Sequence, residues 1–565
     1  MLARIPRFFH SRRSLRKPRG AVRRRRASVA FAAMTSSRDL LQAIPPVIRA
    51  WLGFVLAVAL AGTVSILLRQ DSNWDLMNYH LYNAWAFVHG RHGLDWAPAQ
   101  LQSYHSPFLD LPFYALLAAG APPRLIAFAL AVPTGIAWYC YARIVGVLFA
   151  DAPEATRTPA KAAAVAIGVT APMAVSLIGT TMNDWYVAAF VLAALWLLVR
   201  DGEPLAARTR TLVLAGLLVG AGAGLKLTGA IYGLGLLAAL LVAHGSARAR
   251  LRATLVAGAA MGVAFAATAG PWMWLMWTRY ANPLFPYFND VFRSPWADPV
   301  SFSATRFGPA SAPEWLAFPF LLLVKVEGYV SEPAFRDARP ALLYTLALVA
   351  LAVAVVRRAR PGAAAAPAPA GNAAAWRFVL AFFVASFVAW AALYRIWRYL
   401  VPLELLAGAL IAGLVVRLAP PKRVVAMLAV AFVAVAATAQ FPTWWRQRFE
   451  SAFLTVAMSP VKPGALVLLV NPEPMSYVLP SFPPDARFAG LVSNFNDPDR
   501  TNRLQQTIAA AIRDHRGPLY ALAIPPGRDL GADALAKVGL VRQSCAEIRT
   551  NLRASPLELC ELRRT

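Results

Sequence analysis

Residues 51–68 read WLGFVLAVALAGTVSILL, and this stretch decides the class of fold. It contains no charged side chain, and its large apolar residues leave no polar stripe of the kind that a soluble amphipathic helix carries. Its length is close to the roughly 20 residues that an α-helix needs to cross a bilayer. The stretch therefore predicts a membrane-spanning helix.

Similar apolar stretches recur along the chain as far as residue 440. Only 15% of the 565 residues are charged, whereas a soluble domain carries about a quarter. We predict an α-helical polytopic membrane protein with about eleven transmembrane helices. The predicted spans are 50–68, 124–149, 161–180, 185–200, 211–226, 228–243, 253–275, 339–357, 375–393, 399–417 and 423–440.

The positive charges indicate the orientation of these spans. The formal net charge is +28, and the segment before Met34 contains many arginines and no acid. Further basic residues lie in five short loops on one side, as the positive-inside rule expects. The pattern predicts an integral protein of the cytoplasmic (inner) membrane with a cytoplasmic N-terminus and an extracytoplasmic C-terminus. No basic face interleaved with aromatic residues is present, so nucleic acid is not an expected partner.

Three interpretations of the basic N-terminal segment stay open. The preferred one is a disordered cytoplasmic tail, residues 1–49, that is solvated or faces lipid. In the second, Met34 is the true start of the protein. The third is a twin-arginine export signal at Arg12-Arg13, although the first apolar stretch begins far downstream of it.

The predicted domain from 50 to 440 includes two long outer loops, residues 69–123 and 276–338. Both are rich in Trp, Tyr, Pro and acids, which suits interfacial helices. The apolar stretch Trp315 to Val326 is too short to cross a bilayer, so we predict an interfacial or re-entrant helix there. Residues 361–375 form a predicted cytoplasmic Ala/Pro linker.

Residues 441–565 have a different composition and predict a small extracytoplasmic α/β domain. Ala465 to Val470 and Leu519 to Ile524 are typical of buried strands, and Arg503 to Arg513 of a helix. Cys545 and Cys560 fit a disulfide in an oxidising compartment.

Candidate chemistry begins directly after the first span, where residues 70–80 read QDSNWDLMNYH. Asp75 is expected on an interfacial helix that carries Tyr79 and Asn83 at helical spacing. A solvated carboxylate at this boundary is placed to act as a base on a hydroxyl. The alternative is an acid that only stabilises the helix dipole.

Histidines and aromatic residues crowd the same loop. A divalent metal held by Asp75, Asp184 and His80 is conceivable, but no tight ligand spacing supports it, and solvated or stacking histidines are favoured. Trp74 and Tyr79 suit either stacking on sugar faces or anchoring at the membrane interface.

Five short motifs, in this order, resemble the GT-C class of membrane glycosyltransferases, which use lipid-phosphate sugars. The resemblance covers about residues 50–417. Its motifs are Asp75 with Asp71 nearby after the first span, Asp184 after the third, a small-residue helix that ends in Lys226, Gly270-Pro271-Trp272 followed by residues 280–286, and Arg395-Ile396-Trp397-Arg398-Tyr399-Leu400-Val401-Pro402.

The resemblance implies transfer of a sugar, with inversion, from a polyprenyl-phosphate donor to a lipid, glycan or protein acceptor on the extracytoplasmic side, among membrane lipids. It implies no required cofactor, although a divalent metal stays possible. The first motif lacks the adjacent Asp-Glu pair of the arabinose- and mannose-transferring families, so a hexose and a pentose both stay open. The implied catalytic residues are Asp75, Asp184 and Asp71, and the implied phosphate-binding residues are Lys226, Arg398 and Arg395. Tyr79, His80 and Trp74 are further candidates for substrate binding, although His80 and Trp74 are not part of the family's pattern.

Two other classes of membrane protein compete with this interpretation. A transporter or lipid flippase predicts charges at mid-membrane and internal repeats, whereas the charges here lie mainly at span ends. A glycan polymerase or ligase lacks an acid so soon after the first span. Interfacial snorkelling is the alternative role for Arg395 and Arg398.

Overall fold

The computed structural model describes residues 44–201, 208–243, 245–302, 307–359, 372–525 and 530–565. The chain divides into two compact units, Met1–Leu52 and Gly53–Thr565. The predicted tail 1–49 lies outside the described residues as far as residue 43, and so does most of the predicted linker 361–375. The features that follow belong to the second unit, except that the helix Pro46–Leu67 begins in the first.

Long apolar helices confirm the predicted membrane class. Within the described part of the chain, seven helices are long and apolar enough to cross a membrane. Three shorter apolar helices, of 10–17 residues, lie among them. The seven are Pro46–Leu67, Pro123–Leu148, Ala247–Tyr280, Arg339–Ala359, Ala373–Leu393, Trp397–Leu418 and Pro421–Thr438, and the three are Asp184–Val199, Thr209–Leu225 and Leu227–Val242.

The predicted span 161–180 is wrong in its bounds. The helix here is Glu154–Val169, and it ends before the short helix Pro172–Ser176. Pro172 explains the break, since the residue before a proline is disfavoured in the α conformation. Residues 177–183 therefore form a loop that leads to Asp184. The count of eleven spans stays a prediction.

Short helices build the two outer loops. The first loop begins with a π-helical turn and an α-helix that follow Asp75. In the second, the helix predicted over Trp315 to Val326 is Ala312–Leu321, with Ser311 as its N-cap. The short helices of the first loop are Leu76–His80, Leu81–Val88, Gln100–Tyr104 and Leu111–Ala118, and those of the second are Asn289–Phe292 and Ala312–Leu321.

The C-terminal region forms a six-stranded mixed sheet in the order β1-β5-β6-β4-β2-β3. Strands β2 and β4 are parallel and completely buried, as their apolar sequences predict. The helices Arg503–Asp514 and Leu530–Lys537 accompany the sheet. The strands are β1 Val456–Ala457, β2 Leu466–Leu469, β3 Arg487–Gly490, β4 Leu519–Ala523, β5 Leu540–Thr550 and β6 Leu557–Arg564.

Cys545 and Cys560 face each other across the antiparallel pair β5–β6 and are joined by a disulfide. Their sequence separation is 15 residues. Cys140 is buried and free within the helix Val132–Leu148, which agrees with a packing role.

The sheet packs against the first outer loop and holds that loop in place. Trp96 forms a β-bridge with Ala489 of β3. The buried guanidinium of Arg91 donates to the carbonyls of Pro484 and Ala486. Arg91 also pairs with Asp95 in the loop itself. The C-terminal domain thus fixes the loop that carries Asp75, which ties the sheet to the candidate site.

Candidate active site

An ion pair between the first and the last of the five motifs forms the centre of the site. Arg398 Nη1 donates to Asp75 Oδ2 at 2.7 Å, and the two side chains are 14% and 13% exposed. Arg398 lies in the short 3₁₀ turn Trp397–Leu400, directly before the helix Val401–Leu418. The expectation of a solvated Asp75 is wrong, because this helix end covers the carboxylate and supplies its counter-ion.

The chain around Asp75 is a π-helical turn rather than a regular α-helix. Asn73 Oδ1 accepts from the backbone N–H of Leu76 and caps the turn. Tyr79 still reaches back to Asp75, with 3.4 Å between its hydroxyl oxygen and Oδ2. Asn83, expected on the same face, instead donates to the carbonyls of Gln102 and His105 and so binds the loop together.

Lys226 and Asp184 form a second partly buried ion pair. Lys226 sits between the helices Thr209–Leu225 and Leu227–Val242, where the backbone is extended. Its ammonium donates to Asp184 Oδ1 and to the carbonyl of Met182. Asp184 opens the helix Asp184–Val199 after a left-handed Asn183 with φ 64°. Lys226 therefore holds the second acidic segment.

Tyr399 lies between the two ion pairs. The guanidinium carbon of Arg398 is 5.3 Å from the centre of its ring, and Lys226 Nζ is 5.5 Å from it. The hydroxyl of Tyr232 donates to the Tyr399 carbonyl and anchors the turn. One aromatic ring is therefore in contact with both cations.

A third set of contacts links the two acidic segments directly. His80 Nδ1 lies 2.8 Å from Asp110 Oδ1, and Asn183 Nδ2 donates to the same oxygen at 2.6 Å. The His80 ring contacts the Tyr79 ring in a tilted arrangement, with 4.1 Å between the ring centres and 37° between the ring planes. The sequence places Asp110 among the acids near the histidines of the loop and Asn183 directly before Asp184, but it gives neither residue a role. A usable signal was that Asp110 and Asn183 each directly precede an apolar helix.

Together these contacts link the residues of the site into a closed ring, which we call the polar circuit. Each member touches the next by an ion pair, a hydrogen bond, a ring contact or a peptide bond. In order, the members are Asp75, Arg398, Tyr399, Lys226, Asp184, Asn183, Asp110, His80 and Tyr79.

Three polar atoms of the polar circuit are buried without a hydrogen-bond partner among the described residues. They are one donor, Arg398 Nε, and two further atoms, Asp184 Oδ2 and His80 Nε2. Buried polar groups in folded proteins are nearly always satisfied, so such orphans mark a strained or ligand-binding place. Finding three in one set of touching residues points to a ligand site.

Asp71 stands behind the polar circuit and is 1% exposed. Its carboxylate accepts from Asn73 Nδ2 and from both the backbone N–H and the hydroxyl of Thr181. It thereby joins the first acidic motif to the loop before Asp184. The nearby Arg446 donates to the carbonyls of Ser176 and Ile178 in that loop.

Two predicted binding residues are not brought into the polar circuit. Arg395 donates to the carbonyls of Ala391 and Pro309, and its guanidinium lies over Trp315. Trp74 is half-buried beside Asp75 in the chain. Of the predicted phosphate-binding cations, Arg398 and Lys226 are the two that belong to the polar circuit.

The three candidate metal ligands do not converge. Asp75 pairs with Arg398, Asp184 with Lys226 and His80 with Asp110. Among the described residues, one group has atoms spaced for a metal ion, and it consists of the disulfide cysteines Cys545 and Cys560 with Glu558. Two of its three possible ligand atoms, the sulfurs of Cys545 and Cys560, are therefore already joined in the disulfide.

Burial and charge set the protonation of the outer-loop groups. Burial raises the pKa of Asp75, but the positive charge of Arg398 and the hydrogen bond that it donates outweigh this effect and leave the pKa below the ordinary value of 3.8. Burial, with the charge of Asp75, raises the pKa of Tyr79 well above its usual range. Burial lowers the pKa of His105 to about 4. At neutral pH, Asp75 is therefore an anion and Tyr79 a hydrogen-bond donor.

Glu404 supports the site from within the helix Val401–Leu418. Its Oε1 accepts from the indole N–H of Trp397 at 2.7 Å, and its Oε2 accepts from the backbone N–H of Ala174 at 2.8 Å. It is 4% exposed. This carboxylate ties the turn that carries Arg398 to the segment that leads to Asp184.

The fold is that of the GT-C class of membrane glycosyltransferases, which confirms the fold that the five motifs implied. The crystal structure of ArnT from Cupriavidus metallidurans bound to undecaprenyl phosphate matches with a TM-score of 0.50 and 16% identity, over 90% of this chain and 97% of that chain. The apo structure of the same protein matches with a TM-score of 0.51 and 15% identity, over 91% and 98%.

A crystal structure of the Archaeoglobus fulgidus oligosaccharyltransferase in the apo form aligns with a TM-score of 0.44 and 11% identity, over 83% of this chain and 69% of that chain. No family model matches the chain, and no curated protein matches it significantly.

Proposed function

We propose that this integral membrane protein is a glycosyltransferase that moves a sugar from a polyprenyl-phosphate donor to a hydroxyl group of an acceptor. The polar circuit carries the proposal, because it combines a buried carboxylate, two cations and three unsatisfied polar atoms. The shared fold supports it, since the ArnT structure holds undecaprenyl phosphate.

The reaction is a single displacement at the anomeric carbon. The acceptor oxygen forms a bond to that carbon while the bond from carbon to phosphate oxygen breaks, and the electron pair leaves with the polyprenyl phosphate. Asp75 takes the hydroxyl proton. It suits this role because it is an anion next to the site and a carboxylate can accept a proton from a hydroxyl group within hydrogen-bond reach. Attack opposite the leaving group inverts the anomeric configuration.

Arg398 and Lys226 bind and neutralise the phosphate. Arg398 Nη1 donates to Asp75, and its buried Nε–H has no partner among the described residues. One guanidinium can therefore hold the base and also donate to a phosphate oxygen. A guanidinium is suited to this because its planar group carries several N–H donors in fixed directions, which can serve two acceptors at once. Lys226 adds a second positive charge across the face of Tyr399, and preorganised charge of this kind stabilises a leaving anion.

Asp184 and Asp71 position other groups and do not accept the proton of the acceptor hydroxyl. Asp184 Oδ1 accepts a hydrogen bond from Lys226, whereas Oδ2 is buried without a partner among the described residues. Oδ2 can therefore accept a hydrogen bond from a hydroxyl group of the acceptor or of the sugar. Asp71 is saturated by Asn73 and Thr181 and serves to hold the two motifs together. No step of this scheme passes through a metal.

The polar circuit and the C-terminal sheet face the extracytoplasmic side in this proposal. Arginines occupy the opposite helix ends, for example Arg200 after Asp184–Val199, Arg248 in the first turn of Ala247–Tyr280, and Arg357 in the last turn of Arg339–Ala359. The positive-inside rule assigns such ends to the cytoplasm. An inner-membrane location and a lipid, glycan or protein acceptor belong to the same proposal.

The test is transfer of labelled sugar in membranes that contain the overproduced chain. A panel of undecaprenyl-phosphate hexoses and pentoses is supplied with envelope lipids and glycans as acceptors, and Asp75→Asn membranes with matched protein content serve as the control. We expect labelled sugar to move from one of the donors to an acceptor in wild-type membranes, and no such transfer in Asp75→Asn membranes. No transfer from any donor, together with movement of a solute across sealed vesicles, would replace this proposal with a transporter.

A further inference from the structure

His80 and Asp110 form a buried pair that the scheme above leaves without a chemical role. The two residues are 3% and 2% exposed. His80 Nδ1 lies 2.8 Å from Asp110 Oδ1, which also accepts from Asn183. Asp110 begins the segment that leads into the helix Leu111–Ala118, so the carboxylate is fixed by backbone as well as by side chains.

This pairing decides which nitrogen of the imidazole carries the hydrogen. A carboxylate accepts but does not donate, so the hydrogen of a neutral His80 sits on Nδ1. Nε2 then presents a lone pair, and the partner on one nitrogen sets the function of the other. Among the described residues, nothing donates to that lone pair, although the atom is buried.

A comparison with neighbouring histidines separates His80 from ordinary packing. His105 also contacts Tyr79, but its Nε2 bonds to the Tyr287 hydroxyl at 2.8 Å. His89, further along the same helical segment, is exposed, and its Nδ1 bonds to the Trp85 carbonyl. His92 also has a buried Nε2 without a partner in the described structure, but His80 is the one of the four that has a carboxylate on its other nitrogen, which prepares Nε2 as an acceptor.

The neighbours of His80 indicate which ligand would satisfy it. On one side, Tyr79 connects it to the proposed base Asp75, and on the other, Asn183 connects its partner Asp110 to Asp184. A neutral imidazole lone pair repels phosphate oxygens and accepts from a hydroxyl. The two cations for phosphate, Arg398 and Lys226, contact the Tyr399 ring, and neither is a neighbour of His80 in the polar circuit.

We propose that His80, held by Asp110, accepts a hydrogen bond through Nε2 from a hydroxyl group of the substrate and thereby selects the substrate that reacts. The inference rests on the proposed function of the site. The hydroxyl belongs either to the transferred sugar or to the acceptor, and the same chemistry serves both.

The decisive variant is His80→Asn. The asparagine amide nitrogen replaces Nδ1 and still donates to Asp110, whereas nothing replaces Nε2. His80→Gln does the reverse, because its longer side chain returns an acceptor oxygen near Nε2. Loss of one hydrogen bond predicts a fall of roughly 10- to 100-fold in kcat/KM for His80→Asn, with partial recovery in His80→Gln.

Asp110→Asn supplies a second, independent variant. Its amide can donate to Nδ1, which forces the hydrogen onto Nε2 and removes the lone pair, as in the wrong-tautomer effect of a serine-protease triad. We expect a loss similar to that of His80→Asn, and no further loss in the double variant. His89→Gln is the matched control and should leave transfer unchanged. Melting temperature and membrane content are measured for each variant.

Deoxy analogues identify the hydroxyl. A donor that lacks the recognised sugar hydroxyl should react poorly with wild type, whereas His80→Asn should barely distinguish it from the complete donor. If the hydroxyl is on the acceptor, deoxy acceptors will show this pattern instead. The proposal is overturned if folded His80→Asn or folded Asp110→Asn matches wild type, or if every analogue loses the same factor in both proteins. Absence of transfer by wild type itself contradicts the proposed function instead.

Discussion

Asp75 and Arg398 are 323 residues apart in the chain and form an ion pair of 2.7 Å. Asp75 belongs to the loop after the first apolar helix, and Arg398 to the turn before Val401–Leu418. The pair shows why the first and last motifs occur in one protein. The proposed base and the proposed phosphate-binding residue are direct partners, so a change in either one removes the counter-ion of the other.

Asp75→Asn tests the base. The amide keeps the shape and one acceptor oxygen but loses proton affinity, and loss of a positioned general base costs roughly 100- to 10,000-fold in rate. Transfer from the labelled lipid-phosphate donor is measured at saturating donor. Full activity would move the role to Asp71 or Asp184.

Stability should respond to the same substitution. Arg398 is 14% exposed, so its guanidinium would be left beside a neutral amide. Loss of a charged partner in a buried pair predicts a cost of about 1–3 kcal/mol. Thermal melting in detergent checks this, and recovery of stability in Asp75→Asn combined with Arg398→Gln would show that the stranded charge causes the loss. An unchanged melting temperature in the single variant would contradict a buried pair.

The pH dependence of stability follows from the lowered pKa of Asp75. Burial raises this pKa, but the positive charge of Arg398 brings it below the ordinary value of 3.8. The carboxylate contributes stability that is present above the ordinary pKa and is lost as the pH falls through the lowered pKa. The difference in melting temperature between wild type and Asp75→Asn should therefore be constant near neutral pH and shrink below about pH 4. A difference that shrinks near neutral pH would refute the assignment.

Arg398→Lys tests the planar fork rather than the charge. A lysine retains the positive charge but cannot donate to Asp75 and to a phosphate oxygen in the same geometry. We expect KM for the lipid-phosphate donor to rise and turnover to fall, each by roughly tenfold or more. Arg395→Lys, outside the polar circuit, is the matched control. Equal effects in the two variants would argue for a general interfacial role of both arginines.

The disulfide predicts a measurable redox dependence of stability. Closure of a loop of 15 residues contributes about 3 kcal/mol in the chain-entropy model. Thiol labelling of native membranes should miss Cys545 and Cys560 and find both after reduction, and Cys545→Ser should lower the melting temperature. Labelling of either cysteine without reductant would exclude the bridge and the oxidising compartment with it.

Topology is tested with reporter fusions at described positions. Ser246 precedes the helix Ala247–Tyr280, and Asn282 follows it. We expect a cytoplasmic reporter signal at Ser246 and an extracytoplasmic one at Asn282 and Thr565. A cytoplasmic Thr565 would place the sheet on the other side of the membrane and remove the basis for the orientation proposed here.

The sequence by itself determined the membrane class, the place of most helices, the strands β2 and β4, and the identity of Asp75, Asp184, Lys226 and Arg398 as residues to consider. These features are local, because hydrophobicity along a segment decides whether it inserts, and an acid or cation at a helix end is visible within a few residues.

Only the tertiary structure decided how those residues are used. Asp110 and Asn183 carry no motif of their own, and they become part of the site because separate helix ends bring them to His80. The same packing leaves Arg395 outside the polar circuit and buries Asp75 against Arg398. A hydrogen bond between residues far apart in the chain depends on how whole helices pack, and no local pattern of residues contains that information.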